Sequence, residues 1–158
     1  MITIGIGDLN IAKDPETLIT YALGSCVGIC LHDANLNLGG MAHIMLPTSA
    51  SMQQDSNPYK YADIAIPALV RKMEQSGARK GSLKAKIAGG AQMFETFSDS
   101  AIGKIGERNI IAVKQILKNL NIPIIADDTG KNYGRTVSFD PKSGTMTVRT
   151  GSRQEIKF

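Results

Sequence analysis

Short apolar runs rich in β-branched residues recur along the chain over residues 2–6, 20–31, 38–46, 83–88, 122–126, 135–139 and 145–149, each closed by Gly, Pro, Asn or Asp. Runs of that length with such punctuation predict strands. Two segments carry helical spacing instead. Ala65, Ile66, Leu69, Val70 and Met73 form one apolar face, predicting a helix over residues 60–76 that stops at Gly77. Pro67 argues either for a start near Asp63 or for a kink. Ile110, Val113, Ile116, Leu117 and Leu120 form the stripe of a second helix over residues 106–120. Asp140-Pro141-Lys142-Ser143-Gly144 separates the last two runs and predicts a hairpin. The order of strand, hairpin, helix, strand, helix, strand and hairpin predicts an α+β fold. Its sheets are mixed and largely antiparallel, hairpin-rich and sandwich-like, flanked by two long helices in one domain over residues 1–158. Strands and helices do not alternate regularly enough for a doubly wound parallel sheet. No nucleotide fingerprint points that way either, since Gly5-Ile6-Gly7 lacks a third glycine and Gly89-Gly90 lacks the Lys-Ser/Thr of a phosphate loop.

The first hairpin places two reactive side chains on consecutive runs. Cys26 sits within Gly24-Ser25-Cys26-Val27-Gly28, and His43 lies within the following run. A loop made of Asp33 to Leu36 sets Cys26 directly opposite His43, with Cβ atoms about 4.5–5.5 Å apart. A slip of one residue turns His43 to the other face, so the expectation depends on register. Residues 47–58 are polar and Pro-containing, and because they leave the strand that carries His43 they form a candidate lid. Residues 95–105 read as a second loop.

A thiol beside an imidazole supports acyl transfer. Free cysteine has a pKa of about 8.5, and a neighbouring imidazole is expected to lower it by stabilising the attacking thiolate. Gly24 and Gly28 allow close approach of a substrate carbonyl and a bend that aims N–H groups at an oxyanion. Taken singly, neither residue requires catalysis, because free cysteine is most often a small buried hydrophobe. Cys26 and Cys30 lie about 13 Å apart along one extended strand, too far for a disulfide. A metal site from Cys26, Cys30, His32 and His43 is a poor tetrahedral cage without a C-x-x-C knuckle, and no cofactor is implied. Asp127-Asp128 reads as a strand-ending turn former, and Arg108 and Asn109 as residues that cap the second helix.

Composition narrows the class further. Hydrophobic residues make up 42% and charged residues 20%, an ordinary globular balance. The net charge of +4 and pI near 9.1 come from scattered Lys and Arg without an aromatic-basic cluster. That pattern argues against nucleic acid and suits an acidic protein partner. No window reaches the roughly 18 apolar residues of a membrane span, and Met1-Ile2-Thr3-Ile4-Gly5 lacks the features of a secretory signal. A cytoplasmic location is expected.

Gly24-Ser25-Cys26-Val27 and Met41-Ala42-His43-Ile44-Met45-Leu46-Pro47 together resemble the chemoreceptor glutamine deamidase family, CheD. So do Lys60-Tyr61-Ala62-Asp63, Ala85-Lys86-Ile87-Ala88-Gly89-Gly90-Ala91, Ile105-Gly106-Glu107-Arg108-Asn109, and Asp128-Thr129-Gly130 with Gly134-Arg135 and Val137. Lys131 departs from the family, which often has glycine there. The resemblance implies a cysteine hydrolase that converts glutamines in the cytoplasmic domains of chemoreceptors to glutamates. It implies Cys26 as nucleophile, His43 as base and Thr20 as the residue that orients the histidine; the residue types then place the oxyanion and substrate site at Gly24 and Ser25, with backbone N–H groups near Ser25 and Cys26 as donors. A straight strand would hold Thr20 about 20 Å from Cys26, so a bend near Gly24 is required. The resemblance also implies a CheC-type phosphatase as partner. The competing expectation is a non-catalytic chemotaxis adaptor that docks on receptors or on that phosphatase.

Overall fold

The structure is a computed structural model that describes residues 1–50, 57–93, 104–151 and 154–158. Its elements are β1 (Ile2–Thr3), β2 (Leu9–Lys13), β3 (Leu18–Leu23), β4 (Val27–Asp33), β5 (Leu38–Ile44), α1 (Ala62–Gln75), β6 (Lys84–Gly89), α2 (Ile105–Asn119), β7 (Ile124–Thr129), β8 (Arg135–Asp140), β9 (Thr145–Thr150) and β10 (Glu155–Lys157). They form two five-stranded sheets, β1-β3-β8-β9-β10 and β2-β5-β4-β6-β7. Pairing is antiparallel except for β1 with β3 and β6 with β7. The expected α+β class and its mixed, largely antiparallel sheets are therefore present.

Three layers follow from the alternation along the central strands. Val27, Ile29 and Leu31 of β4 join Ala65, Ile66, Leu69 and Met73 of α1 and Val113 and Leu117 of α2 in one cluster. The intervening Cys30, with Met41 of β5, packs instead against Leu18, Leu23, Val137, Phe139 and Val148 of the other sheet. Strands buried on both faces need apolar residues at every position, which is why 27–31 and 38–44 read as continuous runs.

Several sequence expectations change. Residues 20–31 are not one strand: β3 belongs to one sheet and β4 to the other, and Gly24-Ser25-Cys26 is the crossing between them. Asp33 pairs with Leu38, so the turn lies one residue later than expected, and Gly28 rather than Cys26 stands opposite His43. The strands β2 and β10, which the apolar pattern does not announce, close one edge of each sheet. Asp127 and Asp128 lie inside β7 and carry the strand on rather than ending it. Pro67 sits inside α1, where the carbonyl deprived of an N–H is that of exposed Asp63 and can face water. Of the two expected loops, residues 51–56 and 94–103 lie outside the described residues. No helix among the described residues is long and apolar enough to cross a membrane.

Candidate active site

The junction between the two sheets is where the chemistry collects. His43, on β5, is fully buried and reaches across to β3, where its Nδ1 lies 2.7 Å from Thr20 Oγ1. The main chain holds the residue from both sides, His43 N–H donating to Asp8 O at 3.1 Å and Gly7 N–H donating to His43 O at 2.9 Å. Thr20 Oγ1 also donates to Ile4 O at 2.7 Å. A hydroxyl has a single proton, and a carbonyl can only accept. Thr20 therefore spends its proton on Ile4 and accepts from His43 Nδ1–H, which leaves the lone pair on Nε2. That atom is buried and has no hydrogen-bond partner among the described residues.

A bulge delivers Thr20. The pairing of β3 with β8 shifts between Thr20 and Leu23, and Ala22 adopts a φ of 60°. The chain then turns through Gly24-Ser25-Cys26 into β4. This folds Thr20 back over Gly28, where a side chain would lie 3.8 Å from the Thr20 methyl. The expected bend is present, starting two residues earlier.

Cys26 stands immediately before β4, half-buried, against the cluster between the sheets. It lies two residues before Gly28, the partner of His43, just outside the paired residues of β4 and β5. Gly28 has no side chain, and the place a Cβ would take is lined by Leu23 Cδ1 at 3.2 Å and the Thr20 methyl at 3.8 Å. Every carbonyl of the crossing loop is tied down. Ala91 N–H donates to Gly24 O at 2.8 Å and Gly90 N–H to Cys26 O at 2.8 Å. Asn109 Nδ2 donates to Ser25 O at 2.9 Å. Gly89, at a φ of 111°, passes so close to Cys26 O that any Cβ would overlap it. Gly24 N–H donates to Ala22 O at 3.1 Å, whereas the N–H groups of Ser25 and Cys26 donate to no main-chain carbonyl among the described residues.

Burial sets the charge state of the pair. It pushes the Cys26 thiol up, against a smaller opposing pull from its own backbone N–H. It lowers the His43 imidazole to about 4. The expected imidazole-driven lowering of the thiol is thus reversed, because desolvation outweighs a neutral neighbour. At neutral pH both groups are uncharged, the form in which a base can accept a proton during attack.

The remaining sequence candidates separate from this group. Cys30 is buried with the Lys86 ammonium beside it, and His32 Nε2 donates to Pro141 O at 2.7 Å. Among the described residues no three His, Cys, Asp or Glu side chains could hold a metal ion together. Asp128 accepts from Arg135 Nε at 3.0 Å, and the buried guanidinium also donates to Gly130 O at 3.0 Å. Arg135 pairs with Leu23, so this ion pair anchors the strand that enters the Cys26 loop. Asn109 does not cap α2, which begins after Lys104. Its signal was an amide placed on the buried stripe of a helix, in line with Val113 and Leu117.

Fold and site define a class: a two-sheet α+β protein that gathers a cysteine, a histidine and a threonine where its sheets meet. The family model described as CheD chemotactic sensory transduction matches residues 45–150. A protein of Clostridium botulinum (strain Hall) named probable chemoreceptor glutamine deamidase CheD is 52% identical over 149 residues, covering 94% of this chain and 92% of that one. A Clostridium novyi protein of the same name is 54% identical over the same shares. This chain belongs to the CheD family. Among solved structures, the Bacillus licheniformis hypothetical protein YfiH aligns with a TM-score of 0.48 at 15% identity, covering 77% of this chain and 50% of that one.

Proposed function

We propose that this chain is a chemoreceptor glutamine deamidase that works through a thioester on Cys26. The observation that carries the reading is the Thr20 to His43 contact of 2.7 Å, in which the threonine proton is committed to Ile4 and the imidazole offers a bare Nε2. In the first half-reaction Cys26 Sγ bonds to the side-chain amide carbon of glutamine while its proton passes to His43 Nε2. The oxyanion takes hydrogen bonds from the N–H groups of Ser25 and Cys26. His43 Nε2–H then protonates the amide nitrogen, the C–N bond breaks and ammonia leaves. In the second half, water gives a proton to His43 as its oxygen bonds to the thioester carbon. The C–S bond breaks, Cys26 regains its proton, and the product is glutamate.

The substrate is a receptor cytoplasmic domain, which puts the reaction in the cytoplasm. Tyr21 and Met93, apolar yet 53% and 46% exposed, flank the loop, and Met93 lies over Gly24. They offer an apolar surface to a protein substrate. A CheC-type phosphatase is the partner consistent with the family. The test is mass spectrometry of receptor fragments incubated with the protein: a one-dalton gain at glutamine with release of ammonia is expected, abolished by Cys26→Ala in a folded protein. Absence of any gain, with or without the phosphatase, or undiminished turnover by Cys26→Ala, would refute the reading. The first of these results would favour the adaptor.

A further inference from the structure

We propose that Asn109 is a positioning residue for this deamidation, its amide setting the Ser25–Cys26 peptide group so that the Cys26 N–H faces the reacting carbonyl. The inference rests on the function proposed above. Asn109 is fully buried on the first turns of α2, and its Nδ2 donates twice, to Ser25 O at 2.9 Å and to Met45 O at 3.1 Å. Those carbonyls belong to the two segments that carry the thiol and the imidazole: Ser25 precedes Cys26, and Met45 follows His43 by two residues. One NH2 group thus uses both of its hydrogens to tie the two together.

Geometry gives the consequence. Ser25 O and Cys26 N–H belong to one planar trans peptide and point in opposite directions. Holding the carbonyl toward α2 therefore turns the N–H away from α2. The carbonyls on either side, of Gly24 and Cys26, are held by the main-chain N–H groups of Ala91 and Gly90, so the peptide between them is the one a single side chain controls. The helix reaches this depth because Gly106 lies against the carbonyls of Gly90 and Ala91, where a Cβ would not fit. Asn109 Oδ1, by contrast, is buried with no partner among the described residues. A half-satisfied buried amide is costly, and an aliphatic side chain would fill the same volume without that cost. What the amide adds is direction.

The experiment compares Asn109→Ala with the native chain, Asn109→Ser being the second variant should the alanine fail to fold. Turnover of receptor fragments and alkylation of Cys26 by iodoacetamide are measured across pH, together with the Cys26 amide resonance in ¹⁵N-labelled protein. Losing one oxyanion donor typically costs about 10²–10³ in kcat, so misdirecting one is expected to cost at least about tenfold, with KM within about twofold. Alkylation needs the thiolate but no oxyanion donor, so its rate at a pH where the thiol is fully ionised should stay within about twofold, while the Cys26 amide resonance moves. A folded variant with kcat within about twofold of native would overturn the proposal. So would a fall in that limiting alkylation rate matching the fall in kcat, or an unmoved amide resonance. If the native chain itself releases no ammonia, the deamidase reading fails, and the amide resonance alone decides whether Asn109 sets the peptide.

Discussion

Replacing Thr20 by valine removes a single oxygen at nearly constant shape and probes the proposed base directly. Two hydrogen bonds disappear, the donation to Ile4 O and the acceptance from His43 Nδ1–H. Because both partners are buried, the expected loss of stability is about 1–3 kcal/mol. The kinetic effect has two sources. A neutral hydrogen bond contributes about 1 kcal/mol and one to a charged group about 1.5–3 kcal/mol, so the contact strengthens by roughly 1–2 kcal/mol as His43 becomes imidazolium, or about 5–30-fold in rate. In addition, nothing then keeps the proton on Nδ1, and molecules carrying it on Nε2 have no base. Together these predict a fall in kcat of roughly 10–100-fold. Thr20→Ser retains the oxygen and should stay within about threefold of native. Ammonia release from receptor fragments gives the rates, and urea unfolding gives the stabilities. A folded valine variant within twofold of native, or a serine variant as impaired as valine, would refute the assignment of Thr20 as the group that fixes the imidazole.

Three further outcomes follow from the same geometry. His43 titrates at about 4 when folded against an ordinary 6.5, so below pH 6.5 the unfolded chain takes up a proton that the folded chain refuses. Stability should fall through that window by about 3 kcal/mol more in the native chain than in His43→Gln, as measured by urea unfolding at pH 7 and pH 4, and parallel curves would contradict it. Gly89→Ala must place a Cβ into Cys26 O at a left-handed φ, and should lower stability by more than about 2 kcal/mol while slowing Cys26 alkylation. Gly81→Ala, with open space around it, should do neither, and equal effects in the two would refute the close-approach argument. Arg135→Met strands the Asp128 carboxylate and should cost about 2–4 kcal/mol, part of which Asp128→Asn restores in the double variant; thermal melts that show no recovery would rule out the ion pair as the anchor.

Much of the architecture is legible because burial leaves a periodic mark. The stripes through Leu69 and Val113 specify α1 and α2 to within two residues at either end. The hairpin of β8 and β9 is announced by its turn. Weak marks explain the misses: β2 is half-polar and β10 is exposed throughout, so neither bears a periodic signature, and both exist because a neighbouring strand offers a free edge. At the site, Cys26 and His43 stand out by residue type, but Thr20 is chemically anonymous and enters only through resemblance. Asn109 is mistaken for a cap because its partners lie 84 and 64 residues away along the chain.

By itself, the order of apolar and polar positions determined the class of fold, both helices and the placing of His43 on a buried strand, since these depend on local spacing and on which face must leave water. The tertiary structure alone decided that the run through Cys26 breaks between two sheets, that Gly28 rather than Cys26 opposes His43, and that Thr20 returns to hold the imidazole. It also decided the charges of the pair, raising the thiol and lowering the imidazole. Register, long-range hydrogen bonds and desolvation depend on what lies across the fold, and residues distant in the chain supply it.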